Sequence, residues 1–556
     1  MSKIILTSIN ARYSHTNLAL LYLETAMSLK TDDCICQTIE WDINRPAHEL
    51  LEKLAESGGS CFVFSAYIWN SVYLKTLLPD LGRLLPDAVI CTGGPEAVHN
   101  KPDWLKVSGL DFILDGNAED FAAELCRLQK PAEASVIRKQ PSCFSSTVFP
   151  YTEDSLRQFK GRIIYYEASR GCMFNCSYCL SSVDNSPVEY RTAEQIISEI
   201  SLLSRFRGTV KFVDRTFNAR PAVSRLIWRH MASNPPAGCF HFELHPSLLQ
   251  DEDFRLIESL KASSAQFEIG IQSTNENVLR KVNRTDKPVE SFKNIARIIE
   301  MKKFHVHLDQ IIGLPGDCPA AAAESIDRIL SLRPDVFQPG FLKIIPGTPL
   351  AAEALSLGII SSTAPPYEVL QTPSYSFLQL SRFKRIARLI NLLYNSGFYQ
   401  HSLPVIINKT GGWYRLFSKL LEPEPSLSRT GWEYWGQMLF EIAEATQPGA
   451  SVIKDLLRFD WCFYAKAQRY PAYIDYENTD EIYRKKTVAC RKIGSLHPEI
   501  RKSELKRSII FIPESEEPVN PADRAYLFVR TAGKLQKFPI EKNIRHSYCD
   551  SSPQQL

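Results

Sequence analysis

Short apolar runs separated by helix-period stretches recur in two series along this chain, and that recurrence restricts it to α/β architectures built on parallel sheets. In the first series the runs fall at 4–8, 34–39, 61–66, 88–92 and 111–114, with helical patterns such as 18–29 and 72–85 between them. Five such units predict a doubly wound parallel sheet, whose ligands sit at the carboxyl ends of the strands. That rule puts 10–17, 67–70 and 93–96 around one crevice. The second series starts at Arg162, with strands predicted at 163–168, 210–214, 240–244, 266–271, 306–312 and 336–345. Six units fall two short of a closed barrel, so the expectation is a partial (β/α)6 barrel. Between the series, 131–160 carries Pro131, Pro141 and Pro150 and little periodicity, and reads as a linker. Beyond about residue 360 the pattern turns helical and aromatic-rich (382–394, 432–444, 452–463), with strands expected only at 508–513 and 525–529. The resulting division is 1–130 for the sheet, 131–160 for the linker, 161–355 for the barrel and 356–556 for a mostly helical extension whose last residues are expected to be disordered.

Residues 169–180 read SRGCMFNCSYCL, placing Cys172, Cys176 and Cys179 directly after the first barrel strand, at the face where such barrels carry their chemistry. The chain's 14 cysteines are otherwise scattered, which favours metal binding or catalysis in a reducing compartment over a disulfide framework. Structural zinc calls for four ligands, and no second Cys or His pair stands beside this set; a three-thiolate catalytic zinc stays open. A 4Fe–4S cube suits the spacing better, since three thiolates hold three irons and the fourth keeps an open position. Gly171 suits a sharp turn there, and Arg170 suits an anionic cluster.

The CxxxCxxC spacing, with Tyr178 just before the last cysteine, resembles the signature of the radical S-adenosylmethionine superfamily. FVDRTFN (212–218), FEIGIQS (267–273) and GLPG (313–316) agree with it. The resemblance implies a 4Fe–4S cluster whose open iron chelates adenosylmethionine, so that one electron cleaves a carbon–sulfur bond and yields a strongly hydrogen-abstracting alkyl radical. It implies Tyr178 near the adenine and Asp214, Glu243, Gln272 and Ser273 as contacts to adenosylmethionine. It also implies a reductant such as flavodoxin or ferredoxin.

VICTGGPE (89–96) resembles the strand end of cobalamin-binding domains fused ahead of radical barrels, and DGNAE (115–119) resembles the acidic element that follows there. The expected cobalamin contacts are Asn10, Tyr67, Gly93, Gly94, Pro95, Glu96 and Glu119, the glycine pair letting a flat macrocycle approach the backbone. The loop NARYSHTN (10–17) departs from the Asp-x-His-x-x-Gly pattern that supplies an axial histidine in some relatives, so His15 reads as a surface or capping residue. The region beyond about 360 resembles the C-terminal extension of one uncharacterised branch of these proteins.

Other features carry less. His305, His307 and Asp309 share one strand face and read as polar filling of a barrel interior. Cys34, Cys36 and Cys318 read as inert side chains, the first two buried. Aromatics at 375–377, 413–414 and 432–435 read as the core of the third region. A net charge of +3 gives no electrostatic case for nucleic acid. The longest uncharged runs, 57–74 and 389–408, are too polar for a membrane span, and the first residues lack the apolar core of a signal peptide, so a cytoplasmic location is expected.

These observations leave several functions open. The first is a cobalamin-dependent radical enzyme that transfers a methyl group to an unactivated carbon or phosphorus of a small molecule or peptide. The second keeps the radical chemistry for a rearrangement or cyclisation, with cobalamin absent or structural. The third is a non-catalytic cobalamin or redox sensor. Methylthiolation of transfer RNA fits less well, because Cys34, Cys36, Cys61 and Cys91 lack the spacing of a second cluster set.

Overall fold

A computed structural model of the chain describes residues 2–30, 34–183, 187–422, 431–446, 451–464, 468–515, 522, 524–531 and 534–541. It divides into two compact units, one of residues 1–335 and 339–380 and another of 336–338 and 381–556. The first unit holds both α/β series, apart from residues 336–338 of the last strand, and runs on through the segment to 380 that the sequence pattern assigns to the third region.

The first sheet consists of β1 (Ser2–Asn10), β2 (Cys34–Asp42), β3 (Cys61–Ser65), β4 (Val89–Gly93), β5 (Phe112–Asp115) and β6 (Ser135–Arg138), all parallel in the order β2-β1-β3-β4-β5-β6. Strands β1, β3 and β4 are covered on both faces, which is why they read as unbroken apolar runs. Strand β6 lies inside the expected linker. It sits at the sheet edge with only Ile137 partly buried, so it leaves no apolar run to read. The rest of that stretch is packed as well: Phe144 and Tyr151 are buried. The cysteine reading also needs correction here. Cys34 is disulfide-bonded to Cys126, 92 residues away, and Cys34 and Cys36 are half-buried rather than buried.

The second sheet is formed by β7 (Ile163–Tyr166), β10 (Thr209–Phe212), β11 (Cys239–Leu244), β12 (Ala265–Gln272), β13 (His305–Ile312) and β14 (Val336–Phe341), in the order β14-β13-β12-β11-β10-β7. Between β7 and β10 a short antiparallel pair, β8 (Ser169–Arg170) and β9 (Glu189–Tyr190), flanks the cysteine loop. Alternation along β11 buries Phe240, Phe242 and Leu244 on one face. There the rings of Phe212, Phe217, Trp228 and Phe242 pack together with centroids 4.3–6.4 Å apart. The opposite face carries Lys211, His241, Glu243, Glu268, His307 and Asp309 at neighbouring register positions.

An incomplete barrel leaves the outer edge of β7 unpaired, and an open edge invites further pairing. The chain closes it with its own first domain. Ile163 donates its N–H to Ser14 at 2.7 Å, and Thr16 donates its hydroxyl to the Ile163 carbonyl at 3.0 Å. Arg162 pairs with Glu40 and donates to the His15 carbonyl. The loop after β1 is thereby fixed against the barrel.

In the second unit, helices Ser402–Thr410, Trp413–Leu421, Trp432–Thr446, Ser451–Tyr464 and Thr479–Leu496 accompany an antiparallel sheet of Ile509–Phe511, Ala525–Thr531 and Lys534–Ile540. Trp413, Trp435 and Phe459 are buried in it. Asp460, fully buried, accepts from His401 Nδ1 at 2.6 Å and from the N–H and hydroxyl of Ser402 at 2.9 and 2.7 Å, fixing a helix start. Tyr375 is not part of this core: it is buried in the first unit and donates to Asp317 at 2.8 Å, while Phe377 is exposed.

Candidate active site

The cysteine loop leaves β8 through Gly171, whose φ of +98° is a conformation that favours glycine. It is pinned at its centre by Ser177, which donates its N–H to Val282 at 3.0 Å and accepts from Leu350 at 2.9 Å. Cys176 is buried, and Cys172 and Cys179 are half-buried. Cys172 Sγ lies 3.7 Å from Thr216 Oγ1, and the ring of Phe174 stacks on His245 at 4.4 Å. Among the described residues no three His, Cys, Asp or Glu side chains gather closely enough to hold one metal ion. A 4Fe–4S cube asks something different, one thiolate on each of three irons, and three thiols spread along a single pinned loop meet that demand.

Sequence reasoning assigned the neighbouring positive charge to Arg170. That is corrected by the geometry: Arg170 donates to Glu167 at 2.8 Å and to Glu119 at 2.6 Å, and so ties the loop's root to the first domain. The cation beside the thiols is Arg284, a buried side chain next to Cys176 and Tyr178 whose Nη2 donates to the Gly270 carbonyl at 2.5 Å. Its Nε has no hydrogen-bond partner among the described residues. Burial raises the Cys176 thiol, and the Arg284 guanidinium works against that shift. Nothing in the local sequence announces Arg284, because it lies more than 100 residues from the cysteines and comes to them only through the turn after β12.

Asp214 was expected to contact adenosylmethionine, but its carboxylate is turned inward. It accepts from Ser169 Oγ at 2.5 Å and the Ala168 N–H at 3.0 Å, holding the root of the cysteine loop to the end of β10. Burial pushes its carboxyl up to about 7, against those two hydrogen bonds, which favour the charged form. The folded chain therefore binds this proton more tightly than the unfolded chain, where the ordinary value is 3.8. The group's favourable contribution is complete below that lower value and is lost as pH rises through about 7. Asp214→Asn is expected to flatten this part of the pH–stability profile. Urea unfolding at pH 4.5 and 7.5 should show the gap between wild type and variant changing by at least about 1 kcal/mol. An unchanged gap would remove Asp214 from this role.

A cavity of about 540 Å³ opens at the carboxyl ends of both sheets. The first domain contributes Asn10, His15, Tyr67, Trp69, Gly94, Pro95 and Glu119, and the barrel contributes Tyr165, Glu167, Arg170, Val213, Arg215 and Glu243. Of the expected cobalamin contacts, Asn10, Tyr67, Gly94, Pro95 and Glu119 thus share one wall, and Gly93 lines a small adjoining cavity. Glu96 does not: it is buried and accepts from Ser71 at 3.1 Å and from Tyr367 at 2.5 Å. The glycines also have a nearer explanation than a macrocycle. A Cβ on Gly94, whose φ is +96°, would sit 2.7 Å from the Ala66 carbonyl, and one on Gly93 would sit 3.3 Å from that of Leu114. Close packing of the strand ends and a positive φ alone require Gly94, and the packing leaves little room for a side chain at Gly93.

His15 is no surface residue. It lines the cavity with Nδ1 2.5 Å from the Tyr165 hydroxyl, and burial, with help from Arg12, lowers its basicity, so the ring is neutral at neutral pH. Tyr67 and Trp69 stack nearly parallel with centroids 4.4 Å apart. Glu243 pairs with Lys211 at 3.3 Å, and Lys211 with Glu268 at 2.8 Å. Gln272 takes a φ of +63° and its Oε1 is buried without a partner among the described residues. Ser273 accepts the Asn275 N–H at 3.2 Å. His307 pairs with Asp309 at 3.2 Å among the polar side chains of the barrel face.

Residues 166–329 match the radical SAM superfamily, and residues 356–510 match a family described as a protein of unknown function (DUF4080). The first match implies a 4Fe–4S cluster and adenosylmethionine. Two solved structures share the fold. OxsB, a cobalamin-dependent S-adenosylmethionine radical enzyme solved with aqua-cobalamin bound, is 13% identical with a TM-score of 0.56 over 83% of this chain and 80% of its own. TsrM from Kitasatospora setae, a radical S-adenosylmethionine methyltransferase solved with tryptophan substrate and an adenosylmethionine analogue, is 15% identical with a TM-score of 0.53 over 68% of this chain and 81% of its own. Among curated relatives, the ribosomal protein uS12 methylthiotransferase of Prochlorococcus marinus is 23% identical over 41% of this chain and 52% of its own length. A 2-(S-pantetheinyl)-carbapenam-3-carboxylate methyltransferase of Streptantibioticus cattleyicolor is 22% identical over 48% and 44%. The chain spans about half the length of the curated relatives it matches. Among the described residues no helix is long and apolar enough to cross a membrane.

Proposed function

The chain carries a radical S-adenosylmethionine domain at residues 166–329, and from that premise we propose that it is a cobalamin-dependent enzyme transferring a methyl group to an unactivated carbon or phosphorus of a small-molecule or peptide substrate. The observation that carries this reading is the cavity shared by the strand ends of both sheets, since methyl transfer by this route needs both cofactors to face one substrate. Cys172, Cys176 and Cys179 would hold the cluster. Tyr178, Glu243, Gln272 and Ser273 would lie against adenosylmethionine, with Arg284 as a buried cation for its carboxylate. Asn10, Tyr67, Gly93, Gly94, Pro95 and Glu119 would lie against cobalamin. When bound, these groups supply one-electron cleavage of a carbon–sulfur bond and carriage of a methyl group.

The protein's own residues set the conditions. Arg284 offsets the charge of the thiolates. Phe174 on His245 covers one side of the loop, and Asp214 fixes its root. His15, held by Tyr165, presents a neutral ring to the cavity. An external one-electron donor such as flavodoxin or ferredoxin completes the requirement.

A second reading, radical rearrangement without cobalamin, draws on the glycine pair, whose size is already accounted for by Ala66 and Leu114. Turnover separates the two. S-adenosylhomocysteine formed together with 5′-deoxyadenosine is the expected result, and 5′-deoxyadenosine alone with a consumed substrate would replace methyl transfer by rearrangement.

A further inference from the structure

The three carboxylates lining the cavity are each ion-paired within the fold. Glu119 and Glu167 share Arg170, and Glu243 has Lys211. The remaining charged side chain of the wall is Arg215, at the carboxyl end of β10. It is exposed, lines the cavity, and makes no hydrogen bond or ion pair with any described residue. Its neighbour Asp214 cannot serve it, being buried and committed to Ala168 and Ser169. Arg215 acts on Glu243 only through space, as a second cation beside Lys211, and its fork of N–H donors is unused among the described residues. A planar fork of this kind binds carboxylates and phosphates bidentately, and does so most strongly where water is partly excluded.

Resting on the reading above, we infer that Arg215 anchors the carboxylate of the substrate, so that the enzyme acts on a carboxylic acid and not on a neutral molecule. The cofactors have weaker claims on it. Adenosylmethionine has a separate, buried cation in Arg284 beside the cysteine loop. The expected cobalamin contacts belong to the first domain, whereas Arg215 stands on the barrel side of the same cavity.

A matched pair of probes tests this on the anaerobically purified holoprotein: phenylacetate and phenylacetamide, which differ in charge at one group. Equilibrium dialysis is expected to show the carboxylate held at least about tenfold more tightly than the amide. Arg215→Gln should abolish the preference, and Arg215→Lys should keep part of it through charge without the fork. Iron content, bound cobalamin and affinity for adenosylmethionine should be unchanged in both variants. Equal binding of the two probes by the wild type, or a preference that survives in Arg215→Gln, overturns the inference. Loss of cobalamin or of adenosylmethionine affinity in Arg215→Gln would also overturn it, by assigning the arginine to a cofactor while leaving the methyl-transfer reading intact. Absence of cobalamin from the wild type would defeat that reading instead, and the probe contrast would still be measurable on the cluster-loaded protein.

Discussion

Replacing any one of Cys172, Cys176 and Cys179 with alanine is expected to remove the charge-transfer absorption of the cluster and to lower 5′-deoxyadenosine formation by about a thousandfold or more. On this reading each thiolate would hold its own iron, so the loss of one would leave a position that the short, pinned loop cannot refill. Cys143 provides the control: it is exposed, and alanine there should leave iron content and turnover at the wild-type level. Iron analysis and product quantification on the four variants make the comparison. A cluster retained at full stoichiometry in any of the first three would mean that the loop does not hold it.

Removing Arg170 is expected to be the most damaging change outside the cysteines. Its guanidinium joins Glu119 of the first domain to Glu167 of the barrel, and it lies over the rings of Phe144 and Tyr22. Those carboxylates are only 8% and 12% exposed, so Arg170→Met strands two buried charges at once. The expected cost is about 3–5 kcal/mol, read as a lowered midpoint in urea. Adding Glu119→Gln and Glu167→Gln to that variant should recover part of the loss, because amides need no counter-charge. A loss under about 1 kcal/mol for Arg170→Met would mean that water already screens the pair.

The two series of parallel strands were legible because their strands are covered on both faces or alternate strictly, as in β1 and β11. Strand β6 was not, since an edge strand buries almost nothing. The cysteine loop was legible because its ligands are local in sequence. Arg284 and Tyr165 were not, since each gains its role only when distant strands meet. His15 was misjudged for the same reason: its partner, Tyr165, is 150 residues away. At Asp214 and Glu96 a carboxylate beside a motif suggested a ligand contact, and the fold shows internal partners that the motif did not. Both are buried, and a buried carboxylate must find internal donors, here Ser169 and Ala168 for one and Ser71 and Tyr367 for the other. Disulfide pairing across 92 residues, as between Cys34 and Cys126, leaves no trace in spacing.

The central claim, that this chain carries both a cluster and a corrinoid, is tested most directly by composition. The protein is purified without oxygen from cobalamin-fed cells, iron and sulfide are quantified, and the extracted corrinoid is identified by mass spectrometry. The account predicts a 4Fe–4S cluster together with about one cobalamin per chain. A full cluster with no cobalamin, even after reconstitution with excess cobalamin, would contradict it.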